Sequence, residues 1–257
     1  MARNFAFLDH PGPLAFAHRG GAAEAPENSW AAFERAVAMG YRYIETDVRA
    51  TADGVAVVLH DPTLDRVTQH SGALHKMSWA QVRASRLGDG REIPQLEELL
   101  SAWPEVRWNI DVKRPEAVTP VVEAVRRTAS VNRVLVASFA DGRVSRVRTA
   151  LGPNVATSAG RRTVARLVAA KALTLGARLV RVRSTVAAAQ VPVQSRGIPI
   201  VDAVFLRVCH NSGIAVHVWT IDDPPEMERL LDLGVDGIMT DRPSSLKQVL
   251  ERRGQWY

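Results

Sequence analysis

The stretch Tyr43-Ile44-Glu45-Thr46-Asp47-Val48 sets two carboxylates two positions apart. In an extended strand alternate side chains share a face, so Glu45 and Asp47 project together, roughly 7 Å apart, while Ile44, Thr46 and Val48 point the other way. Two carboxylates side by side repel unless positive charge lies between them, and a hard divalent cation with oxygen ligands is the economical partner. The same alternation recurs over 107–113, where Asn109, Asp111 and Lys113 share one face and Trp108, Ile110 and Val112 the other. His18, in Ala17-His18-Arg19-Gly20-Gly21, and His60, in Leu59-His60-Asp61-Pro62, add two imidazoles able to exchange protons near neutral pH.

Taken singly, these groups have ordinary explanations. A histidine at a strand end is usually a hydrogen-bonded core or rim residue, Asp111 with Lys113 is as readily an ion pair, and Gly20-Gly21 is a turn. Taken together, the six ionisable groups His18, Glu45, Asp47, His60, Asp111 and Lys113 would cost too much free energy on inward strand positions unless paired or bound to metal. Their combination points to a site.

Those side chains need elements that aim them at one place. Leu14-Ala15-Phe16-Ala17 reads as a buried strand running into a tight glycine loop at His18. Pro26-Glu27-Asn28-Ser29 starts a helix capped by Asn28 or Ser29, with Trp30, Phe33 and Val37 at helical spacing and Gly40 as its stop. After the Glu45/Asp47 strand, Asp53-Gly54 between two apolar runs predicts a hairpin that folds His60 back toward the carboxylates. Residues 63–92 are polar and irregular apart from a short helix near 78–86, and read as a loop excursion over one end.

A helix through Leu100 leads to the strand at 107–113. Helices over 115–129, 143–151, 163–173, through Asn211, over 225–233 and from Pro243 then alternate with strands over 133–139, 155–159, 179–182, 215–220 and 237–239. The stretch 184–199 reads as irregular. Strands alternating with helices imply parallel βαβ units, and eight of them in 257 residues predict an α/β fold, a TIM (β/α)8 barrel, in a single domain over 1–257. The functional groups of such a barrel sit at the carboxyl ends of its strands, where the six ionisable residues fall.

Composition narrows the classes. A hydrophobic content of 46% with 23% charged residues is that of a soluble globular protein. The single Cys209 rules out an internal disulfide and a Cys-based zinc site, and reads as a small buried apolar residue. Asp9, His10 and Pro11 interrupt any export signal, and Arg166, Lys171 and Arg178 break the most apolar long stretch, so a cytoplasmic location is expected. The net charge of +6 conceals an asymmetry: over 141–196, ten Arg and one Lys face a single acid, Asp141. The plain reading is a solvated Arg- and Ala-rich face. A sharper one is a patch that draws in anionic substrates or makes peripheral contact with an anionic membrane. Nucleic acid is not expected, since no aromatic interleaving or recognised binding module accompanies the charge.

His18-Arg19-Gly20, Pro26-Glu27-Asn28-Ser29, Glu45-Thr46-Asp47, Leu59-His60-Asp61, Asp111-Val112-Lys113, Ser138-Phe139, Trp219-Thr220 and Asp236-Gly237-Ile238-Met239-Thr240-Asp241-Arg242-Pro243 form an ordered set. The set resembles the signature of the glycerophosphodiester phosphodiesterase family, over about residues 14–250. The resemblance implies a TIM barrel that hydrolyses glycerophosphodiesters to an alcohol and sn-glycerol 3-phosphate. It further implies a divalent cation, Mg2+ or Ca2+, held by Glu45, Asp47 and Asp111, with His18 and His60 as the acid/base pair and Arg19 and Lys113 near the phosphate. Many members carry Glu where this chain has Asp111, whose shorter side chain still offers oxygen ligands; related spider-venom-type phospholipases D look similar there. The segment 63–92 is short beside members with an inserted subdomain, which would leave a more open mouth.

The chemistry of a phosphodiester suits this set. A metal with Arg19 and Lys113 would neutralise the charge developing on the phosphoryl oxygens, and two histidines could take a proton from the nucleophile and give one to the leaving alkoxide. The nucleophile is either the substrate's own glycerol hydroxyl, with a cyclic phosphate first, or water. Trp219 could stack on the glycerol or headgroup or belong to the core. A lysophospholipase D-like enzyme acting on lysophospholipids is the neighbouring alternative, and a non-catalytic phosphodiester-binding barrel the distant one. The non-catalytic barrel would be expected to have lost part of the set, whereas both histidines, two of the three carboxylates in their usual form, Arg19 and Lys113 are present.

Overall fold

The computed structural model describes residues 5–173, 182 and 185–257. Its strands are β1 (Leu14–Ala17), β2 (Tyr43–Ala50), β3 (Ala56–Val58), β4 (Arg107–Val112), β5 (Val134–Ala137), β6 (Ala156–Thr157), β7 (Ala188–Val191), β8 (Gln194–Ser195), β9 (Ile198–Pro199), β10 (Ala215–Val218) and β11 (Gly237–Thr240). The α-helices are α1 (Trp30–Ala38), α2 (Trp79–Val82), α3 (Leu96–Ala102), α4 (Val118–Arg127), α5 (Asp141–Leu151), α6 (Arg161–Leu173), α7 (Ala203–Asn211), α8 (Pro224–Leu233) and α9 (Pro243–Arg252).

Parallel pairing runs in the order β6, β5, β4, β2, β1, β11, β10, β7. The ring closes where Ala159 N–H donates to Ala188 O (2.8 Å) and Ala187 N–H to Thr157 O (2.7 Å). This is the expected (β/α)8 barrel. The Asp53-Gly54 turn makes its hairpin, with β3 antiparallel to β2 and Val48 opposite Val58.

The sector after α6 differs from expectation. Of the strand expected over 179–182, only Val182 is among the described residues, and it lies in no strand. The strand of that sector is β7, inside the stretch read as irregular. Ala188-Ala189-Gln190-Val191 carries one β-branched residue and is followed at once by Pro192, so local propensity gives little sign of it. Pairing with β10 and β6 on either side overrides that weak preference.

Period-2 alternation sorts the barrel. Outward residues such as Ile44, Val48, Trp108, Ile110, Val112, Val134 and Val136 are buried with Phe33, Leu99, Val121 and Val147 of the surrounding helices. Inward, Phe16, Tyr43, Leu135 and Met239 form a second cluster that Phe5 and Phe7 join from the amino-terminal end. Tyr43 Oη donates to Phe7 O (3.0 Å), and the Phe7 ring sits edge-on to Tyr43 at 5.3 Å. These aromatics fill the lower barrel, so the usable space lies at the carboxyl ends of the strands. Residues 63–92 are less loop-like than their polarity suggested, because Leu64, Leu74, Val82 and Leu87 pack with Val57, Leu59 and Ile93 into a small core of their own.

Candidate active site

The register between β2 and β4 builds the floor of the site. Glu45 pairs with Asn109 and Asp47 with Asp111, so Asp111 stands level with Asp47 on the neighbouring strand, about 4.8 Å away in the backbone. The inward faces therefore carry Glu45, Asp47, Asn109 and Asp111 together, and Lys113 continues the β4 face. All five line one cavity of about 210 Å³ with His18, Arg19, His60, Phe139, Gln190 and Trp219. Every residue expected at the site is thus placed around it.

Lys113 answers the carboxylate pair. Its Nζ lies 2.5 Å from Asp47 Oδ1 and 2.7 Å from Asp111 Oδ2. Burial disfavours the ammonium, but Asp111, Asp47 and Glu45 outweigh it and raise its pKa. Asp47 is equally well held. Burial works against its charge, yet Lys113 and Arg19, with hydrogen bonds from Lys113 and Asn28, keep its pKa below the usual range. Arg19 Nε is 3.1 Å from Asp47 Oδ2, an ion-pair contact off the hydrogen-bond axis, and its NH1 donates to Glu27 Oε1 (3.1 Å).

Glu45 is the poorly compensated member. Burial, then the Asp47 charge, push its pKa up to about 7, against the pull of His18 and Lys113. Asp111 is also raised, by burial ahead of any partner. One ammonium and one guanidinium face three carboxylates shielded from water. That surplus of hard oxygen donors fits a divalent cation in its chemistry. In the arrangement seen, Lys113 holds the space between Asp47 and Asp111, and among the described residues no three acidic or histidine side chains converge closely enough to grip an ion.

The histidines are oriented alike. His18 Nδ1 lies 2.7 Å from Asp241 Oδ1, and His60 Nδ1 lies 2.7 Å from Asp61 Oδ1. A carboxylate at Nδ1 favours the tautomer with its proton there and leaves Nε2 as the atom that exchanges protons. His18 Nε2 is 3.7 Å from Glu45 Oε2; burial lowers the His18 pKa, but Glu45 and Asp241 outweigh it, and the net shift is upward. Asp61 is held ionised: Arg66, chiefly by its hydrogen bond, and then His60 bring its pKa down to about 2.

A strained loop brings β1 to this floor. Arg19 has φ 53°, Gly20 φ 82° and Gly21 φ 105°, a left-handed run that glycine adopts freely. It turns the Arg19 N–H onto Glu45 Oε2 (3.2 Å). At Gly20 a Cβ would come within 2.7 Å of the Ala32 Cβ, so α1 packs directly on the loop.

Several residues beside the expected set shape the site, and the sequence showed few of their roles there. Ser29 is the cap of α1, accepting from Ala32 N–H (3.1 Å), which resolves the choice between Asn28 and Ser29. Asn28 instead adopts φ 55°, donates to Asp47 Oδ2 (2.9 Å) and accepts from Thr46 Oγ1 (2.8 Å). Asp241, Asp61, Arg66 and Glu27 orient the histidines and Arg19. Asp61 could have been suspected from its adjacency to His60; Asp241 is 223 positions from the ring it holds.

Comparison with known proteins shows the family and agrees with the fold. Residues 18–245 match the model of the glycerophosphoryl diester phosphodiesterase family. A protein of Mycobacterium tuberculosis (strain ATCC 25618 / H37Rv) described as "Probable glycerophosphodiester phosphodiesterase 2" is 43% identical over 251 residues, covering 97% of this chain and 95% of its own. Among solved structures, a glycerophosphodiester phosphodiesterase of Agrobacterium tumefaciens str. C58 shares the fold with a TM-score of 0.72 at 24% identity, covering 91% of this chain and 98% of its own. An Oleispira antarctica phosphodiesterase, solved in complex with the product sn-glycerol-3-phosphate, shares it with a TM-score of 0.75 at 21% identity, covering 93% of this chain and 97% of its own. The chain belongs to the glycerophosphoryl diester phosphodiesterase family.

Proposed function

We propose that this chain hydrolyses glycerophosphodiesters to an alcohol and sn-glycerol 3-phosphate, with His18 and His60 sharing the general acid and base roles. The observation that carries the reading is the symmetry of the two histidines. Both line one cavity, each with a carboxylate 2.7 Å from Nδ1 and Nε2 left to exchange a proton. One imidazole can take the proton of the attacking hydroxyl while the other supplies one to the departing alkoxide.

Glu45, Asp47 and Asp111 are the residues that would hold a divalent cation, Mg2+ or Ca2+. When bound, such an ion supplies charge neutralisation at the phosphoryl oxygens. Arg19 and Lys113 serve the same end from the protein. Each keeps N–H donors beyond those committed to Glu27, Asp47 and Asp111, and these can receive the phosphate oxygens. Their carboxylate partners fix them in place before substrate arrives, which limits the reorganisation needed in the transition state. Trp219 borders the glycerol or alcohol side of the cavity, edge-on to Phe139 at 6.1 Å.

The test is release of sn-glycerol 3-phosphate from glycerophosphoinositol by the purified protein, with His60→Ala beside it. Product formed by the native chain and lost in the variant supports the reading. Lysophosphatidylcholine in parallel separates the neighbouring one, since cleavage of it alone would move the assignment to a lysophospholipase D-like enzyme.

A further inference from the structure

The wall of the cavity opposite His18 is built from the loops after β4, β5 and β6. Phe139 stands there with 47% of its surface exposed, one of few large apolar side chains so open among the described residues. An exposed aromatic face at a phosphodiesterase mouth would ordinarily suit a quaternary ammonium headgroup, which binds such faces by cation–π attraction. In this chain that face is taken. The Arg161 guanidinium lies over the Phe139 ring at 5.1 Å, and Arg161 N–H donates to Phe139 O (2.9 Å), so backbone and side chain are both fixed to the same residue. The Trp219 ring stands nearly perpendicular to the Phe139 ring, 6.1 Å between centroids.

The carboxylate nearest in the chain, Asp141, is engaged elsewhere, accepting from the N–H groups of Arg162 (2.9 Å) and Thr163 (3.1 Å) and from Thr163 Oγ1. The groups acting most on the Arg143 charge are Asp111, Arg114, Glu116 and Arg161. Asp111 is engaged by Lys113, and Glu116 faces Arg114 at 3.4 Å. Among the described residues no carboxylate lies within ion-pair distance of Arg143 or Arg161. Arg143 spends NH1 on Val112 O (2.7 Å), and its Nε is buried without a hydrogen-bond partner among the described residues. Beside Phe139 at the cavity rim, a cation would meet two guanidiniums without an ion-pair partner among the described residues, whereas an anion would meet two planar donors suited to phosphate or carboxylate oxygens.

We propose that Phe139, Arg161 and Arg143 form the seat of the leaving alcohol, and that it selects glycerophosphodiesters whose alcohol carries a further anionic group over those with a quaternary ammonium. The inference rests on the phosphodiesterase reading and adds the substrate class. Arg161 acts twice: it attracts the anion, and it occupies the aromatic face that choline would need. The basic bias of residues 141–196 thereby gains a role at the mouth through two of its arginines.

The test compares kcat/KM for glycerophosphoinositol 4-phosphate, glycerophosphoinositol and glycerophosphocholine in the native chain, Arg161→Ala and Arg161→Glu. The native chain is expected to favour the phosphorylated over the plain inositol substrate by about tenfold or more, the scale of one charge-assisted contact. Arg161→Ala should shrink that ratio to within about threefold and raise the relative rate on the choline substrate, and Arg161→Glu should invert it. A merely structural role for Arg161 would move all three substrates together. A native ratio near one, or a ratio unchanged in both variants while turnover persists, overturns the proposal. No turnover of any of the three removes the phosphodiesterase reading itself, and the proposal with it.

Discussion

Arg66 grips Glu27 with both terminal nitrogens, NH2 to Oε1 at 2.7 Å and NH1 to Oε2 at 2.8 Å. Its Nε reaches Asp61 Oδ2 at 2.6 Å. Asp61 holds His60 and Glu27 holds Arg19, so one guanidinium ties the loop bearing the second histidine to the loop bearing the first. Neither end of this chain of contacts is near the other in sequence.

Arg66→Ala is therefore expected to lower kcat about 10- to 100-fold, the usual cost of losing a group that orients a functional side chain. Stability should change little, because Arg66 is half exposed and such pairs contribute weakly. Arg66→Lys should not restore the rate, since an ammonium cannot serve Glu27 with two parallel bonds and Asp61 with a third. Steady-state kinetics with a thermal melt checks this; native kcat in Arg66→Ala would contradict it.

Asp241→Asn keeps the shape of the contact to His18 and removes its charge. The amide can donate to Nδ1, which would favour the wrong tautomer and take the lone pair away from Nε2. A fall in kcat of about 100-fold or more, approaching that of His18→Ala, is expected from the general acid–base contribution. A rate within about twofold of the native one would show that Asp241 does not set the tautomer.

Much of this site was legible in the sequence because strands alternate strictly. Residue type and period-2 spacing suffice to put Glu45 with Asp47, and Asn109 with Asp111 and Lys113, on one face, and Asp53-Gly54 brings His60 back to them. What stayed hidden depends on distant chain. Glu27 and Arg66 are 39 positions apart and obey no periodicity. Asn28 looked like a helix cap, and its left-handed backbone and its bond to Asp47 follow only from where β2 lies. β7 escaped because small residues beside a proline give weak local preference, and only its neighbours in the barrel make it a strand. Phe5 and Phe7, in a segment too short to show a pattern, plug the barrel floor.

Lys113→Met should be costly to the fold as well as to activity. It leaves Asp47 and Asp111 shielded from water without the ammonium between them, a change worth about 3–5 kcal/mol in comparable buried pairs. Denaturant unfolding would show a lower midpoint at an unchanged slope. The variant should also gain more in midpoint from added Mg2+ or Ca2+ than the native chain does, because carboxylates without a partner favour an ion more strongly. An unchanged midpoint would mean that Lys113 does not stabilise the pair.

His217 gives a pH signature away from the reaction. It is fully buried beside Phe16, with Nδ1 3.3 Å from Gln190 Nε2, and burial holds its pKa down to about 4 against the opposing pull of Asp236. Between pH about 6.5 and 4 the unfolded chain binds a proton that the folded one refuses. Stability from this group is thus complete above about pH 6.5 and falls by about 1.4 kcal/mol per pH unit down to about 4. Melting curves across that range should be less steep in pH for His217→Gln. Equal slopes for the two proteins would contradict the assignment.

The most direct measurement is release of sn-glycerol 3-phosphate from glycerophosphoinositol by the native chain, followed with added Mg2+ or Ca2+ and again after EDTA, with His60→Ala as the control. Turnover with the ion, little or none after chelation, recovery on adding the ion back, and loss in the variant are the expected results. Turnover that persists in His60→Ala would contradict the acid–base role of the two histidines, and turnover indifferent to EDTA would contradict the metal-holding role of the three carboxylates.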